Sequence, residues 1–382
     1  MSIRVLGQPL RSVLIVGLLL PVVVVAAVLA FAWPAARIAP RGVPVGIVGA
    51  TPAAQAAVAA LDHAQPGGFD FRLYPDEREA RTAIEHRDVY GAFAANGRAV
   101  TVLEAGAASP AVAQALSTAG SALAAHAGVP LHTVDVVPLS THDPRGMVLS
   151  SILLPLSLCA SLLAAAVALV LTLRSAWRQG VTLAVVSALA GLGIYLIAQP
   201  FLGALPHEPL ATWGALSLTV FAIATTASGL AALVGPAGLG LGAALMVLLG
   251  NAFAGSTSAP TLLPGAVHRL GQWLPPGAGA NLVRSTAYFG GAGSAGHLTV
   301  LLLWSVAGMV VTVLGHHTVL GHAARSRARS AAPATEDTAP TEDAAPREDT
   351  ATGTPRPTTP DPTTPDPTTP RHLDGAGALQ AV

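Results

Sequence analysis

The chain has 382 residues, of which 52% are hydrophobic and 10% are charged, and its formal net charge is zero. A soluble domain of this size would carry roughly a quarter charged residues, so the composition excludes an ordinary soluble protein and is typical of a membrane protein. Because the chain is neutral overall, no global field favours an anionic substrate, and no nucleic-acid partner is expected.

Six apolar stretches reach or approach the about 20 residues that a helix needs to cross the hydrocarbon core of a lipid bilayer. They lie at residues 12–32, 147–173, 181–201, 210–234, 239–253 and 298–314, and the fifth is the shortest. The sequence therefore predicts an α-helical polytopic membrane protein with six transmembrane helices. The first stretch has a second interpretation as a cleaved signal peptide, because residues 30–32 (AFA) offer small residues at a cleavage site; its length favours an uncleaved anchor.

Arginine clusters flank the predicted spans on one side of the membrane. They are Arg4 and Arg11 before the first span, Arg174 and Arg178 between the second and third, and Arg325, Arg327 and Arg329 after the sixth. Short cytoplasmic flanks hold positive charge, so this pattern predicts a multi-pass protein of the plasma membrane with both termini in the cytoplasm. Residues 1–33 then form a cytoplasmic stub and the first helix, and residues 34–146 lie outside the cell.

Residues 34–146 return to the charge density of a soluble domain, with strand-like and helix-like segments in alternation. Strands are predicted at residues 43–49, 69–74, 89–93, 99–103 and 132–139, and helices at residues 51–63, 76–86 and 110–127. Thr51 is the expected N-cap of the first of these helices, with Pro52 at its first position. The Asn96-Gly97 pair is a strong hairpin signal between the third and fourth strands. These patterns predict an extracytoplasmic α/β domain between the first and second transmembrane helices.

The sequence contains none of the familiar catalytic, phosphate-binding or metal-binding patterns. Residues 45–51 (VGIVGAT) lack the GxGxxG spacing and the GK[ST] ending of phosphate loops, so we interpret them as a strand-to-helix turn. His132, Asp135, His142 and Asp143 match no closed set of ligands, so no metal and no other cofactor is expected. No GxSxG or HExxH motif is present, and no predicted span contains Asp or Glu, so neither an enzyme nor a proton-coupled transporter is expected.

Small residues recur through the predicted spans. Because small residues let helices approach closely in lipid, we expect them to form helix contact faces; they are Gly191, Gly193, Gly214, Ser228, Gly229, Gly235, Gly238, Gly240 and Gly242.

Residues 255–297 are too apolar for an exposed loop and too rich in proline for a span. Such a segment is expected to lie at the outer membrane surface or to re-enter partway. Two short helices are predicted in it, at residues 267–273 and 280–288, with the sequence LPPG as the break between them. Trp273, Tyr288 and Phe289 suit the aromatic belt at the membrane interface.

The run LPPGAGANLVRSTAYFGG at residues 274–291, followed by a final span, resembles the end of ABC-2 type exporter permeases, in the branch that includes the YhgE/Pip-like proteins. The layout of one span, a large outer region and then five spans over residues 147–316 is similar to that family as well. The resemblance implies a candidate outer gate or interfacial motif formed by Pro275, Pro276, Gly277, Asn281, Arg284, Tyr288 and Phe289. Arg284 has two interpretations: an interfacial anchor that reaches lipid headgroups or bonds neighbouring carbonyls, and a direct substrate contact.

The resemblance implies a permease subunit that moves an unknown substrate outward, as a homodimer or a paired permease. Since the chain has no Walker motif, ATP would be hydrolysed by a separate ABC ATPase subunit. The candidate cytoplasmic coupling loop contains Arg174, Trp177 and Arg178. Because this coupling surface is small, the alternative is a non-transporting receptor or cell-envelope assembly factor whose outer domain binds a ligand or partner. Residues 317–382 are predicted to form a disordered, Pro/Thr-rich cytoplasmic tail.

Overall fold

The computed structural model describes residues 10–171 and 176–331, which are mostly helical and contain one five-stranded sheet. The strands are β1 Val43–Val48, β2 Phe69–Tyr74, β3 Gly91–Ala95, β4 Val100–Glu104 and β5 Leu131–Asp135. The α-helices are α1 Leu10–Ala35, α2 Pro52–Ala64, α3 Glu77–Glu85, α4 Pro110–Ala127, α5 Met147–Leu171, α6 Ala176–Leu196, α7 Pro209–Val234, α8 Pro236–Ala244, α9 Gly265–Trp273, α10 Pro275–Tyr288 and α11 Ala295–Ala331. Two π-helical segments, Ile197–Phe201 and Leu245–Asn251, continue α6 and α8, and a 3₁₀ turn spans Pro260–Leu262.

The sheet has the strand order β2-β1-β3-β4-β5, and its strands are parallel except for the β3–β4 hairpin. Side chains alternate across a strand, so neighbouring residues face opposite sides. Phe93 and Val102 pack in an apolar cluster with residues of α2 and α4. Ala92 and Leu103 pack in a second cluster with residues of α3, and this cluster continues into the long apolar helices. One face of the sheet is therefore part of the core that the α/β domain shares with those helices.

The predicted start of α2 and the predicted hairpin turn are confirmed, whereas the third strand covers Gly91–Ala95 rather than residues 89–93. The hydroxyl of Thr51 accepts a hydrogen bond from the amide of Ala54, at 3.1 Å, and Pro52 is the first residue of α2. The side-chain oxygen of Asn96 accepts bonds from two following amides, each at 3.0 Å, and Gly97 has the positive φ of 76° that this hairpin turn requires. Local capping and turn chemistry therefore fix the boundaries of these elements.

The last predicted strand is wrong at its end, because β5 stops at Asp135 rather than reaching residue 139. Its partner strand β4 ends at Glu104, opposite Asp135. Beyond that pair, the chain makes single backbone bonds, such as that from Val136 to the Glu104 carbonyl at 2.7 Å. Pro138 also lacks the amide that a further ladder bond would need.

Among the described residues, five helices are long and apolar enough to cross a membrane, as in a polytopic membrane protein; they cover Gly17–Ala35, Met147–Ala168, Trp177–Phe201, Pro209–Val234 and Ala295–Gly315. The fifth predicted span corresponds to the shorter apolar helix Pro236–Asn251. Its 9 α-helical and 7 π-helical residues rise about 24 Å, against a hydrocarbon thickness of about 30 Å. The number of six spans therefore stays a prediction. Helix α11 continues through the first part of the predicted tail, and residues 332–382 lie outside the described residues.

Close helix packing at small residues is confirmed at several of the predicted positions. A Cβ atom added to Gly191 of α6 would lie 2.7 Å from the Cα atom of Ser217 in α7. A Cβ atom at Gly242 would lie 2.8 Å from the Cα atom of Ala227, between α8 and α7. By contrast, the predicted contact role is not seen at four glycines that have nothing within 4 Å of such an atom: Gly193, Gly214, Gly235 and Gly240.

The α/β domain is joined to one end of the helix bundle, which we call the domain-side end and define by residues 197–208 and 252–297. The hydroxyl of Ser109 donates to the carbonyl of Ser258, and that of Ser140 donates to the carbonyl of Gly203 at 2.5 Å. The Asp143 carboxylate accepts two amide bonds from the first turn of α5, each at 2.9 Å, where the chain passes from the domain into the bundle.

Candidate functional site

Helix α10 contains most of the predicted motif and begins with its prolines. Leu274 is extended, with φ −95° and ψ 144°, and Pro275 and Pro276 form the first turn of the helix. Proline suits this position because its missing amide would have no partner inside the helix. The expectation that LPPG breaks two helices is therefore wrong: Leu274 alone separates α9 from α10, and Pro275, Pro276 and Gly277 belong to α10.

Every residue of α10 from Pro275 to Tyr288 is buried in the protein. The helix packs against α5, α7, α9 and the π segment Leu245–Asn251. The contacts are tight: a Cβ atom at Gly279 would lie 2.4 Å from the Thr219 methyl group, and one at Gly250 would lie 2.6 Å from Cγ of Pro276. Helix α10 is thus an internal helix at the domain-side end.

The predicted interfacial place of Tyr288 and Phe289 is wrong. Both side chains are only 8% exposed and pack in the core shared with the α/β domain. An aromatic residue with a polar tip suits a membrane interface and a protein interior equally, because either supplies a hydrogen-bond partner. For Tyr288 that partner is the carbonyl of Ala204, to which its hydroxyl donates. Trp273 is 63% exposed, which agrees with the predicted place of this side chain at the membrane interface.

Arg87, in the turn after α3, connects the α/β domain to α10. Its Nη1 group donates to the Asn281 carbonyl at 3.1 Å and to the Ser285 hydroxyl, and its Nη2 group donates to Oδ1 of Asn281 at 3.0 Å. Its guanidinium carbon also lies 5.2 Å from the centre of the Phe289 ring. Arg87 has a φ of 64°, which costs a non-glycine residue of order 1 kcal/mol or more. The contacts with α10 help to hold this unfavourable conformation.

Asn281 is the centre of a polar network between three elements. Besides accepting from Arg87, its side-chain amide donates to Oε1 of Gln272 in α9 at 2.7 Å and to the Gly277 carbonyl at 3.4 Å. Asn281 is only 3% exposed, so each of these bonds satisfies a group that water cannot reach. The network holds α9, α10 and the α/β domain in one arrangement.

Arg284 lies one helical turn beyond Asn281 and is 4% exposed. Its Nη2 group donates to the carbonyl of Ser256 at 3.1 Å. Of the two predicted forms of an anchor, the bond to a neighbouring carbonyl is present, whereas burial rules out a side chain that reaches lipid headgroups. Burial lowers the pKa of Arg284, and the nearby hydroxyls of Tyr90 and Tyr288 act in the opposite direction.

The C-terminal half of α10 is also held by the chain between α6 and α7. The amide of His207 donates to the Ala287 carbonyl at 3.2 Å, and the hydroxyl of Thr212 donates to that of Thr286 at 3.1 Å. Burial, reinforced by the Asp143 charge and opposed by Arg284, raises the pKa of Tyr288 to about 12, so its hydroxyl remains a donor at neutral pH. The loop at residues 202–208 is therefore bonded to α10.

Positive charge is concentrated at this junction. Burial, and then the charge of Arg284, lower the pKa of Arg87 to about 10, while Tyr90 acts against them. In the part of the chain that the structure describes, the ion pairs are Arg72–Asp70 and Arg81–Glu77, so neither junction arginine has a carboxylate within 4 Å. The two guanidinium groups thus repel each other in a poorly hydrated place.

Several contributors to this site were missed in the sequence, among them Arg87, Ser256 and Ser285. Arg87 follows the C-cap of α3, where a positive φ is usual but glycine or asparagine is the usual residue. Nothing in the local pattern singles out an arginine there. Ser256 contributes a backbone carbonyl, which carries no sequence signal.

The predicted coupling loop lies away from this junction. Arg174 is outside the described residues; Trp177, 76% exposed, and Arg178, also exposed, stand at the start of α6. The end of α6 and its π extension lead into the loop at residues 202–208 beside α10. The two predicted sets of functional residues therefore lie at opposite ends of α6, about 30 Å apart.

Of the four residues weighed as metal ligands, the two aspartates have other roles in the structure. Asp135 accepts a bond from the Gly106 amide at 3.0 Å, and Asp143 caps α5. Across residues 10–171 and 176–331, no group of three or more His, Cys, Asp or Glu side chains could hold a metal ion.

A cleft of about 730 Å³ lies between α2 and α4, on the side of the sheet away from α10. Its walls are mainly alanine and leucine, and its polar groups include His63, Gln65, Gln114 and His126. This volume and this mixture of apolar walls with a few polar groups are typical of small-molecule sites.

Comparison with protein-family models, curated proteins and solved structures finds no match to this chain.

Proposed function

We propose that this chain is the membrane-embedded permease subunit of an ABC-2-like exporter, in which the α/β domain and α10 form the outer gate. ATP would be hydrolysed by a separate subunit, and two membrane halves, as a homodimer or a paired permease, would enclose the substrate path. The observation that carries the proposal is the attachment of the α/β domain to a wholly buried helix through Arg87, Asn281 and Ser285.

This attachment supports a gate because the domain and α10 cannot move independently. A shift of the domain would break three donor–acceptor contacts at Arg87 or would carry α10 with it. Helix α10 in turn packs against α7 and the π segment after α8. π-Helical turns inside α-helices are frequent at functional sites, and here one ends beside α10 while the other leads into the loop bonded to it.

The route of the chain supports an outward-facing domain. Helix α1 leads into the domain and α11 leads away from the domain-side end, so the first residues of α1 and the last residues of α11 lie toward the other end of the bundle. The arginine clusters predict the cytoplasm at that end. Under the proposal, the α/β domain covers the external end of the substrate path, and Trp177 and Arg178 face the cytoplasmic ATPase.

The experiment is isolation of the protein from its native membrane, followed by a search for a bound ABC ATPase. We expect an ATPase to co-purify, and we expect Trp177→Ala with Arg178→Ala to weaken its binding. Arg72→Ala is the matched control, since Arg72 is an exposed arginine of β2. Retained binding in the double variant would refute the docking surface. If no ATPase co-purifies and deletion of the gene changes the export of no compound, the permease assignment is wrong.

The cleft between α2 and α4 favours a second candidate function, a receptor or assembly factor that binds a small apolar ligand outside the cell. Ala115→Phe would narrow the cleft from α4, whereas Ser121→Phe lies on the exposed side of the same helix. A ligand that co-purifies with the native protein and the Ser121 variant, but not with the Ala115 variant, in the absence of any ATPase, would favour this function over export.

A further inference from the structure

Arg284 has far fewer hydrogen bonds than its burial demands. A guanidinium group carries five N–H donors and stays charged in proteins. Within the described residues, Arg284 makes one hydrogen bond, from Nη2 to the Ser256 carbonyl, although it is only 4% exposed. By contrast, Arg87 makes three donor contacts and also packs on Phe289. The remaining N–H donors of Arg284 are therefore available to a further partner.

The surroundings of Arg284 add positive charge rather than neutralising it. Arg87, bonded to Ser285, the residue after Arg284 in α10, interacts electrostatically with Arg284. We call these two arginines the cationic cluster. The hydroxyls of Tyr90 and Tyr288 face it. Asp143, whose charge acts on Tyr288, uses both carboxylate oxygens to accept amides of α5.

The start of α11 adds a second feature that favours an anion. This long helix begins at Ala295, two residues after Gly293, and a Cβ atom added to Gly293 would lie 3.4 Å from Cβ of Arg87. The first amides of a helix have no acceptor inside it, and the N-terminus carries a partial positive charge. Ala295 and Gly296 are exposed, so this turn is open to a ligand. The cationic cluster thus meets a helix N-terminus at the domain-side end.

We propose that the cationic cluster binds an oxyanion of the phosphate type, with Arg284 as its main ligand. The planar guanidinium can donate two parallel bonds to such a group, and Arg87 supplies further positive charge. Applied to the exporter, the inference predicts a substrate with an anionic group, and this step rests on the proposed function. The oxyanion could be free or could belong to a lipid headgroup, and the experiment separates these sources.

The experiment measures thermal unfolding of the purified protein in nanodiscs. Inorganic phosphate is compared with chloride at equal ionic strength in phosphatidylcholine discs, and discs with phosphatidic acid are compared with phosphatidylcholine alone. We expect one of these arms to raise the unfolding temperature. Stabilisation by phosphate identifies a free anion as sufficient, and stabilisation by phosphatidic acid alone identifies a lipid headgroup. No stabilisation in either arm overturns the inference.

Variants assign the effect to Arg284. Arg284→Gln removes the charge, and loss of its charge-assisted bonds should weaken anion binding roughly tenfold or more. Arg284→Lys keeps the charge without the paired donors and should retain part of the binding, which also covers a failure of the Gln variant to fold. Arg72→Gln, at an exposed arginine, should bind as the native protein does. Equal binding by native protein and both Arg284 variants would overturn the assignment.

These measurements need no ATPase, so the two proposals can fail separately. Anion binding without any ATPase partner would leave the site in place and remove the export function. An ATPase partner without anion binding would remove the anion site and leave the export function in place.

Discussion

Helices α1 and α10 show that hydrophobicity and burial can run in opposite directions in one membrane protein. Helix α1 is an apolar helix of 26 residues, yet its side chains are largely exposed, with Leu18 at 74% and Val25 at 66%. Helix α10 has 14 residues, carries asparagine, arginine, serine and threonine, and is wholly buried. In lipid, an apolar side chain needs no protein neighbour, whereas a polar group must find its partners inside the protein. The burial of this polar helix is therefore the observation on which the proposed gate rests.

The largest difference between the two helices should come from adding one methyl group to a glycine in each. In α10, a Cβ atom at Gly277 would lie 2.1 Å from the carbonyl oxygen of Gly271, which is backbone and cannot give way. Gly277→Ala should lower the free energy of unfolding by about 3 kcal/mol. Gly17→Ala in α1 is the control, because nothing lies within 4 Å of its added atom. Thermal unfolding in detergent measures both, and equal stability of the two variants would show that α10 is loosely packed.

The second-largest loss of stability is expected where α10 is attached to the α/β domain. Arg87→Ala removes the bonds to Asn281 and Ser285 and leaves buried groups without partners, so we expect a loss of about 2 kcal/mol. Arg87→Gly removes the same bonds but relieves the strain of the positive φ, and it should be more stable than the Ala variant by about 1 kcal/mol. Chemical denaturation compares the pair. A Gly variant less stable than the Ala variant would contradict the backbone conformation at this turn.

A smaller effect is expected at the hydroxyl pair of α7 and α10. Thr286→Val removes one of the two acceptors of the Thr212 hydroxyl, at 3.1 Å, and should cost about 1 kcal/mol or less. Thr212→Val with Thr286→Val replaces both hydroxyls and should cost less than the sum of the two single changes. Additive losses in this double-mutant cycle would mean that the two hydroxyls do not interact.

The smallest effect should be in α1. Leu18→Ala shortens a side chain that is 74% exposed, so no cavity forms inside the protein and the free energy of unfolding should change by less than about 0.5 kcal/mol. A loss comparable with that of a core leucine would show that a partner chain covers α1.

The same contrast explains which parts of the fold the sequence could predict. The α/β domain follows from local signals: Thr51 and Pro52 start α2, and Asn96-Gly97 makes the hairpin. The long apolar helices follow from length and composition. The burial of α10 does not follow from the sequence. The residues LPPG suit both a break and the start of a helix, and Tyr288 suits both a membrane interface and a protein interior. The partners that decide the outcome, such as Arg87, lie about 200 residues away in the chain.

The most direct test of the account is the chemical accessibility of α10 beneath the α/β domain. In a Cys159→Ser background, Ser285→Cys replaces a side chain that is fully buried against Arg87, and Ser121→Cys replaces an exposed serine of α4. With a water-soluble maleimide, we predict rapid labelling at position 121, little labelling at position 285, and increased labelling at position 285 when Arg87→Ala is added. Equal labelling of both positions in the presence of Arg87 would contradict the claim that the α/β domain closes over α10.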